Sequence, residues 1–310
     1  MKQKTQKYIG WLLSLLPLFG LASCEMIVDV DLPPHQPKLV VNCLLTPDSL
    51  VTVRVYQSLG PLDRQDVSEI RNATVILLED GVEVANLPFI SGNQANYYQS
   101  PVLKPQPLKN YTLIVKAPGF PDAQGSCMIP GKVPILNATI RDSAGLDEGG
   151  SYYSRLVVTF QDPAQTKNYY NLSGQYLYSY SPAPWDPNAP RVYNYYPIYF
   201  FSNLKDVEEG GDNGMLLKDD LFNGRQYDLT LNFYPPYGGG GSSPAQQDTF
   251  RIAFKNASSE YYEYYRKLQP HLYNQGGDIF SGEPVVMPNN IQGGYGIFAG
   301  YSQDTLLVVK

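Results

Sequence analysis

The chain is expected to fold as a mainly β protein: an N-terminal immunoglobulin-like β-sandwich, then a larger β-rich domain (sandwich or barrel) with one short α-helix. Three observations lead there. Apolar residues alternate with polar ones at period two in many short segments. Gly, Pro, Asn and Asp turn chemistry, rather than amphipathic helices, separates those segments. Only one stretch, near 258–269, combines a capping side chain with helical spacing. Tyrosine usage divides the β regions, with five of the 26 tyrosines up to residue 150 and 21 after it.

Residues 1–23 read as a lipoprotein signal peptide. Lys2, Lys4 and Lys7 form a positive n-region ahead of an apolar run from Ile9 to Leu21. That run is shorter than the roughly 20 residues a membrane-spanning helix needs. Leu21-Ala22-Ser23-Cys24 then supplies small residues before a single cysteine. Cys24 is therefore the expected lipid attachment site, holding the chain to the membrane through fatty acyl groups such as palmitate. More than one chain anchors firmly, because each buried methylene contributes about 0.8 kcal/mol. A non-lipidated secretory signal cut nearby is the alternative. Residues 24–37 form an acidic tether that Pro33, Pro34 and Pro37 keep out of helix.

Residues 38–131 carry the first set of strands. Leu39–Leu45 is almost continuously apolar, as expected of a strand buried on both faces. Val51, Val53 and Val55 alternate with Thr52, Arg54 and Tyr56. Val75 and Leu77 lead into Glu79-Asp80-Gly81, a hairpin signal, and the chain returns through Val82 and Val84. Tyr111, Leu113 and Val115 follow, and Ser126–Ile129 closes the set before Pro130-Gly131. Short strands at this spacing within about a hundred residues indicate the immunoglobulin-like sandwich. Cys43 and Cys127 lie at its two ends; they either form a disulfide or stay separate as buried thiols.

Residues 132–310 form the tyrosine-rich domain. Strands are expected at 135–140, 155–160, 169–180, 192–201, 227–233 and 249–254, with an exposed loop at Gly238–Ser243. In the helix near 258–269, Asn256–Ser259 offer a cap, Glu263 can pair with Lys267, and Tyr261, Tyr265 and Leu268 share one face. Pro270 should end it near Gln269. Two further strands are expected at 296–298 and 305–309.

Charge narrows the function. The leader holds three of the 23 basic residues and no acid, so the mature chain keeps 20 bases against 29 acids, a net charge of −9. That balance argues against nucleic acid as a partner. His35 and His271, the two histidines, sit in no hydrolase or metalloprotease motif. No cofactor motif and no metal-ligand spacing appear. The acidic loop 206–214 is the one segment worth testing for calcium, although its spacing is not that of an EF-hand and solvated acidic turns are common. Aromatic residues between Tyr169 and Phe201 are the candidates for ligand or partner contact: Trp185 on a proline-rich loop, with Tyr193, Tyr195 and Tyr196 beyond it. Burial of alternate tyrosines in strands accounts for most of the others.

The C-terminal third carries a resemblance. Ser258–Tyr265 is followed by Asp278–Val285 and by Asn289-Asn290-Ile291-Gln292-Gly293-Gly294-Tyr295-Gly296-Ile297-Phe298. With Pro37–Asn42 and Asn168-Tyr169-Tyr170, this pattern resembles the Bacteroidota lipoproteins that carry domain of unknown function 4249. Asn42-Cys43 departs from the glycine usual after Val-Val in that family. The resemblance implies an outer-membrane lipoprotein, often encoded beside a TonB-dependent receptor and accessory to nutrient import. It transfers no catalytic residues. The expectation is a non-enzymatic binding or accessory component; a structural adhesin or fimbrial subunit is the alternative, and a glycan or peptide hydrolase a third.

Overall fold

Alternation at period two builds a protein of packed sheets with one α-helix among the described residues, seen in a computed structural model. It describes residues 35–60, 63, 65–93, 95–183, 185–186, 188–190, 192–234, 249–274, 283 and 285–309. The expected signal peptide, Cys24, nearly all of the expected tether, the loop 238–243 and residues 278–282 lie outside the described residues. Pro37–Lys310 form one unit by their contacts.

The first half contains β1 (Leu39–Leu45), β2 (Thr52–Gln57), β3 (Thr74–Glu79), β4 (Val82–Asn86), β5 (Phe89–Ile90), β6 (Tyr97–Gln99), β7 (Asn110–Lys116) and β8 (Ala123–Met128). The second contains β9 (Ile135–Leu146), β10 (Tyr152–Gln161), β11 (Tyr169–Tyr180), β12 (Val192–Ile198), β13 (Phe200–Phe201), β14 (Val207–Glu209) and β15 (Met215–Lys218). β16 (Gln226–Phe233), β17 (Thr249–Ala257), helix α1 (Ser259–Asn274), β18 (Ile291–Gln292) and β19 (Tyr295–Val309) complete it.

One sheet runs through both halves in the order β14-β15-β11-β17-β19-β1-β2-β6-β5, with β12 also paired to β11. Sheet β18-β8-β7-β3-β4 packs on its first-half end and sheet β13-β16-β10-β9 on the other. The first core gathers Leu39, Val41, Val53, Val75, Leu113 and Phe298. The second is aromatic: Phe160 lies 4.5–6.0 Å, ring to ring, from Phe254, Tyr170, Phe222 and Tyr227. Each such pair adds about 0.5–1.5 kcal/mol beyond area burial.

Strand β19 joins the cores. Val40–Leu45 pair with Tyr295–Gly300 in parallel, and Thr249–Ala257 pair antiparallel with Tyr301–Val309. The two strands expected at 296–298 and 305–309 are thus one. The polar run Tyr301–Asp304 does not break it, because Ser302 donates to the Pro130 carbonyl at 2.6 Å and Asp304 holds Lys132 at 2.7 Å. Asp304 also accepts from the Ile135 backbone N–H at 2.8 Å, so these contacts fasten the connection between the two β regions. Gly296 is needed where β19 meets β1. Its φ is +120°, and a Cβ there would lie 2.1 Å from the Val41 carbonyl oxygen.

Local expectations meet the structure with some changes. Asp80 (φ +49°) and Gly81 (φ +85°) make the hairpin turn between β3 and β4. β1 alternates fully and half-buried residues, because tyrosines of α1 cover only part of its outer face. Its neighbours are β19 and β2; β8 lies in the facing sheet. Helix α1 passes Pro270 and ends at Asn274. Proline removes one N–H and crowds one carbonyl, and this helix tolerates it in its last turns. Glu263 bonds Arg266 one turn on. Cys43 and Cys127 are buried free thiols, and burial pushes both well above the usual thiol range.

Candidate functional site

Strand register determines what the outer face of the large sheet displays. On β11 the residues Tyr170, Leu172 and Tyr176 enter the aromatic core, so Tyr169, Asn171, Gln175 and Leu177 point outward. Partners across the ladders share that face: Lys255, Arg251 and Thr249 on β17, Tyr301, Leu307 and Val309 on β19, Tyr193 and Tyr195 on β12.

Helix α1 covers one end of this face. Tyr261 and Tyr262 pack with Leu216, Ala257, Ile297 and Ala299. At the centre, Asp212 accepts from Tyr261 OH (2.6 Å), Asn171 Nδ2 (3.0 Å), Lys255 Nζ (3.1 Å) and the Gly214 N–H (3.2 Å). Lys255 Nζ donates to Tyr261 OH at 2.8 Å and sits 5.3 Å from the Tyr261 and Tyr301 ring centres. Burial alone would raise the Asp212 pKa. The Lys255 charge and the hydrogen bonds from Tyr261, Lys255 and Asn171 outweigh it, holding the carboxyl below its usual value.

This occupies the acidic loop. Asp212 holds the helix and sheet, Glu208 accepts from Tyr262 OH at 3.0 Å, and the Gly211 N–H donates to the Tyr265 carbonyl. A Cβ on Gly211 would meet Leu268 at 2.6 Å, so glycine here lets the helix approach. The loop docks α1, and among the described residues no group of three His, Cys, Asp or Glu side chains is placed to hold a metal.

Beyond Lys255 the helix no longer covers the sheet. One row across the strands reads Pro197, Gln175, Arg251, Leu307; the next reads Tyr195, Leu177, Thr249, Val309; Tyr193 lies beyond, beside Ser179. Tyr193, Tyr195, Arg251, Leu307 and Val309 are all exposed. The Arg251 guanidinium lies 5.8 Å from the Tyr195 ring centre and makes no ion pair among the described residues. An exposed face of aromatic and aliphatic side chains around one arginine has the composition of a protein contact surface.

The four aromatics singled out in the sequence are all exposed, Trp185 most of all at 82 %. They do not share one surface. Tyr193 and Tyr195 lie on the outer face, Tyr196 lies on the opposite face against Tyr178, and Trp185 is on the loop between β11 and β12. Arg251, Leu307 and Val309 escaped sequence reading. Alternation in Thr249–Phe254 marks Arg251 as outward, but only the reach of α1 decides that it is uncovered. His271 sits at the helix end with Nδ1 2.8 Å from the Val285 carbonyl oxygen. Two shallow concavities of about 210 and 260 Å3 flank Tyr264; each is smaller than the roughly 300–1,000 Å3 typical of an enclosing ligand pocket.

A comparison with curated proteins finds no match. The family profile described as "Domain of unknown function (DUF4249)" matches residues 25–306, most of the 310-residue chain. The chain therefore belongs to the DUF4249 family.

Proposed function

We propose that this protein is a lipoprotein anchored in the outer membrane through acyl chains on Cys24, and that it works there as a non-enzymatic accessory of a TonB-dependent nutrient receptor. The uncovered sheet face carries this reading. Tyr193, Tyr195, Arg251, Leu307 and Val309 form a solvent-facing surface, set on paired strands, of the kind that anchors protein contacts. The leader ending at Leu21-Ala22-Ser23-Cys24 supports the anchor. An adhesin or fimbrial subunit that exchanges its terminal strand is less well supported, because β19 is paired along its length with β1 and β17.

Solubilisation of native membranes in mild detergent, followed by affinity capture of the full chain, tests the proposal. A large β-barrel receptor should co-purify, and Arg251→Glu combined with Tyr195→Ala should release it. Recovery of the protein alone, with and without crosslinker, contradicts it. A Cys24→Ser variant that still partitions with the outer membrane contradicts the anchor.

A further inference from the structure

The sheet edges of this protein are not alike. An edge strand presents unpaired N–H and C=O groups, and proteins blunt such edges by shortness, charge or cover. Here β5, β13 and β18 have two residues each. β14 has three, two of them Glu208 and Glu209. β4 carries Glu83, and the long β9 carries Arg141 and Asp142. β12 alone is seven residues long, Val192-Tyr193-Asn194-Tyr195-Tyr196-Pro197-Ile198, with no charge. It pairs with β11 on one side and with no strand on the other among the described residues.

We infer that β12 is a pairing edge, and that its occupant is β12 of a second copy of this chain, in antiparallel register about a two-fold axis at Asn194. Charge selects the occupant. The chain carries a net charge of −6, so two copies repel overall, and contact through a charged strand adds a local cost to that repulsion. The uncharged β12 is where two such chains approach without that cost.

Proline sets the register. Pro197 has no N–H to give β11, so it fits where its nitrogen faces the free edge. Tyr195 and Tyr193, two and four residues earlier, then point their N–H and C=O groups the same way. A two-fold axis at Asn194 sets Tyr193 opposite Tyr195 of the second copy, forming about four backbone hydrogen bonds and leaving Pro197 outside them. It also aligns four tyrosines on the outer face, joining two copies of the Tyr195–Arg251–Leu307 surface into one sheet. This inference does not depend on the receptor.

Sedimentation velocity of the full chain in detergent, across a wide concentration range, tests it. The wild type should dimerise. Asn194→Asp places like charges across the axis and should weaken the dimer about tenfold or more. Tyr195→Pro removes a donor from the free edge only and should do the same. Circular dichroism and melting temperature verify the fold of both variants. Asn194→Cys should oxidise to a covalent dimer, since Cys43 and Cys127 are buried, whereas Ser126→Cys on β8 should not. If Tyr195→Pro loses the fold, the charge variant and the crosslink decide. A monomer at every concentration overturns the inference. So does a dimer unaffected by Asn194→Asp, or crosslinking no better at 194 than at 126.

Discussion

Asp212→Ala strikes the polar cluster that holds helix α1 to the sheet. It removes one carboxylate and strands four donors: Lys255 Nζ, Tyr261 OH, Asn171 Nδ2 and the Gly214 N–H. Lys255 and Asp212 side chains are only 15 % and 18 % exposed, so solvent repairs the loss poorly. Breaking a buried ion pair from one side costs about 3–5 kcal/mol. Some water reaches this pair, so the low end applies, about 3 kcal/mol. For a domain of this size, each kcal/mol lowers the melting temperature by about 2–4 °C, giving a fall of roughly 6–12 °C. Because Asp212 joins the acidic loop to α1, hydrogen exchange should accelerate first in the helix. Asp220→Ala is the control. It breaks a comparable contact with Lys167, but both side chains are more than half exposed, and the melting temperature should barely move. If the two variants melt alike, Asp212 does not hold the helix to the sheet.

Three more expectations follow from the same geometry. The Asp212 carboxyl is held below its usual value in the fold, so its stabilisation is complete above the unfolded carboxylate range and is lost as pH falls through the folded value; urea midpoints should drop below about pH 4, and Asp212→Asn should flatten that limb. Gly296→Ala forces a Cβ onto the Val41 carbonyl at positive φ, so the variant should accumulate as insoluble protein, and soluble yield like wild type would show that β1 and β19 separate easily. The chain has two tryptophans, and if Trp11 leaves with the expected signal peptide, Trp185 is the single one. Its emission should be red-shifted and readily quenched by iodide, as its exposure requires; blue emission resistant to quenching would place the β11–β12 loop in a buried setting.

Much of the strand pattern is readable from the chain. Val51, Val53 and Val55 do enter the core, the strand expected at 169–180 is β11, and the Ser258 hydroxyl caps α1 through the Tyr261 N–H. These features are local, set by period, turn or cap. What escapes is non-local. β1 meets β19 across some 250 residues of sequence, and no spacing rule reports a parallel pairing at that distance. Ser302 and Asp304 look like a break because their partners, Pro130 and Lys132, sit far back in the chain. The candidate face is half readable. Aromatic exposure at Tyr193 and Tyr195 follows from their crowding in a polar strand, but Arg251 and Leu307 join them only because α1 stops short of their rows. The acidic loop reads as a solvated turn worth a calcium test, and its role in docking α1 shows only once Lys255 and Tyr261, more than forty residues later, are seen to hold its Asp212 carboxylate.

The outward sheet face is proposed to meet a receptor in the outer membrane. A photo-crosslinking amino acid at Leu307, three strands from the β12 edge, tests it in native membranes. A single adduct with the mass of this protein plus a large β-barrel protein should form, and Arg251→Glu should abolish it. Irradiation that yields no adduct at Leu307, or an equal adduct at Ser126 on the far sheet, contradicts it.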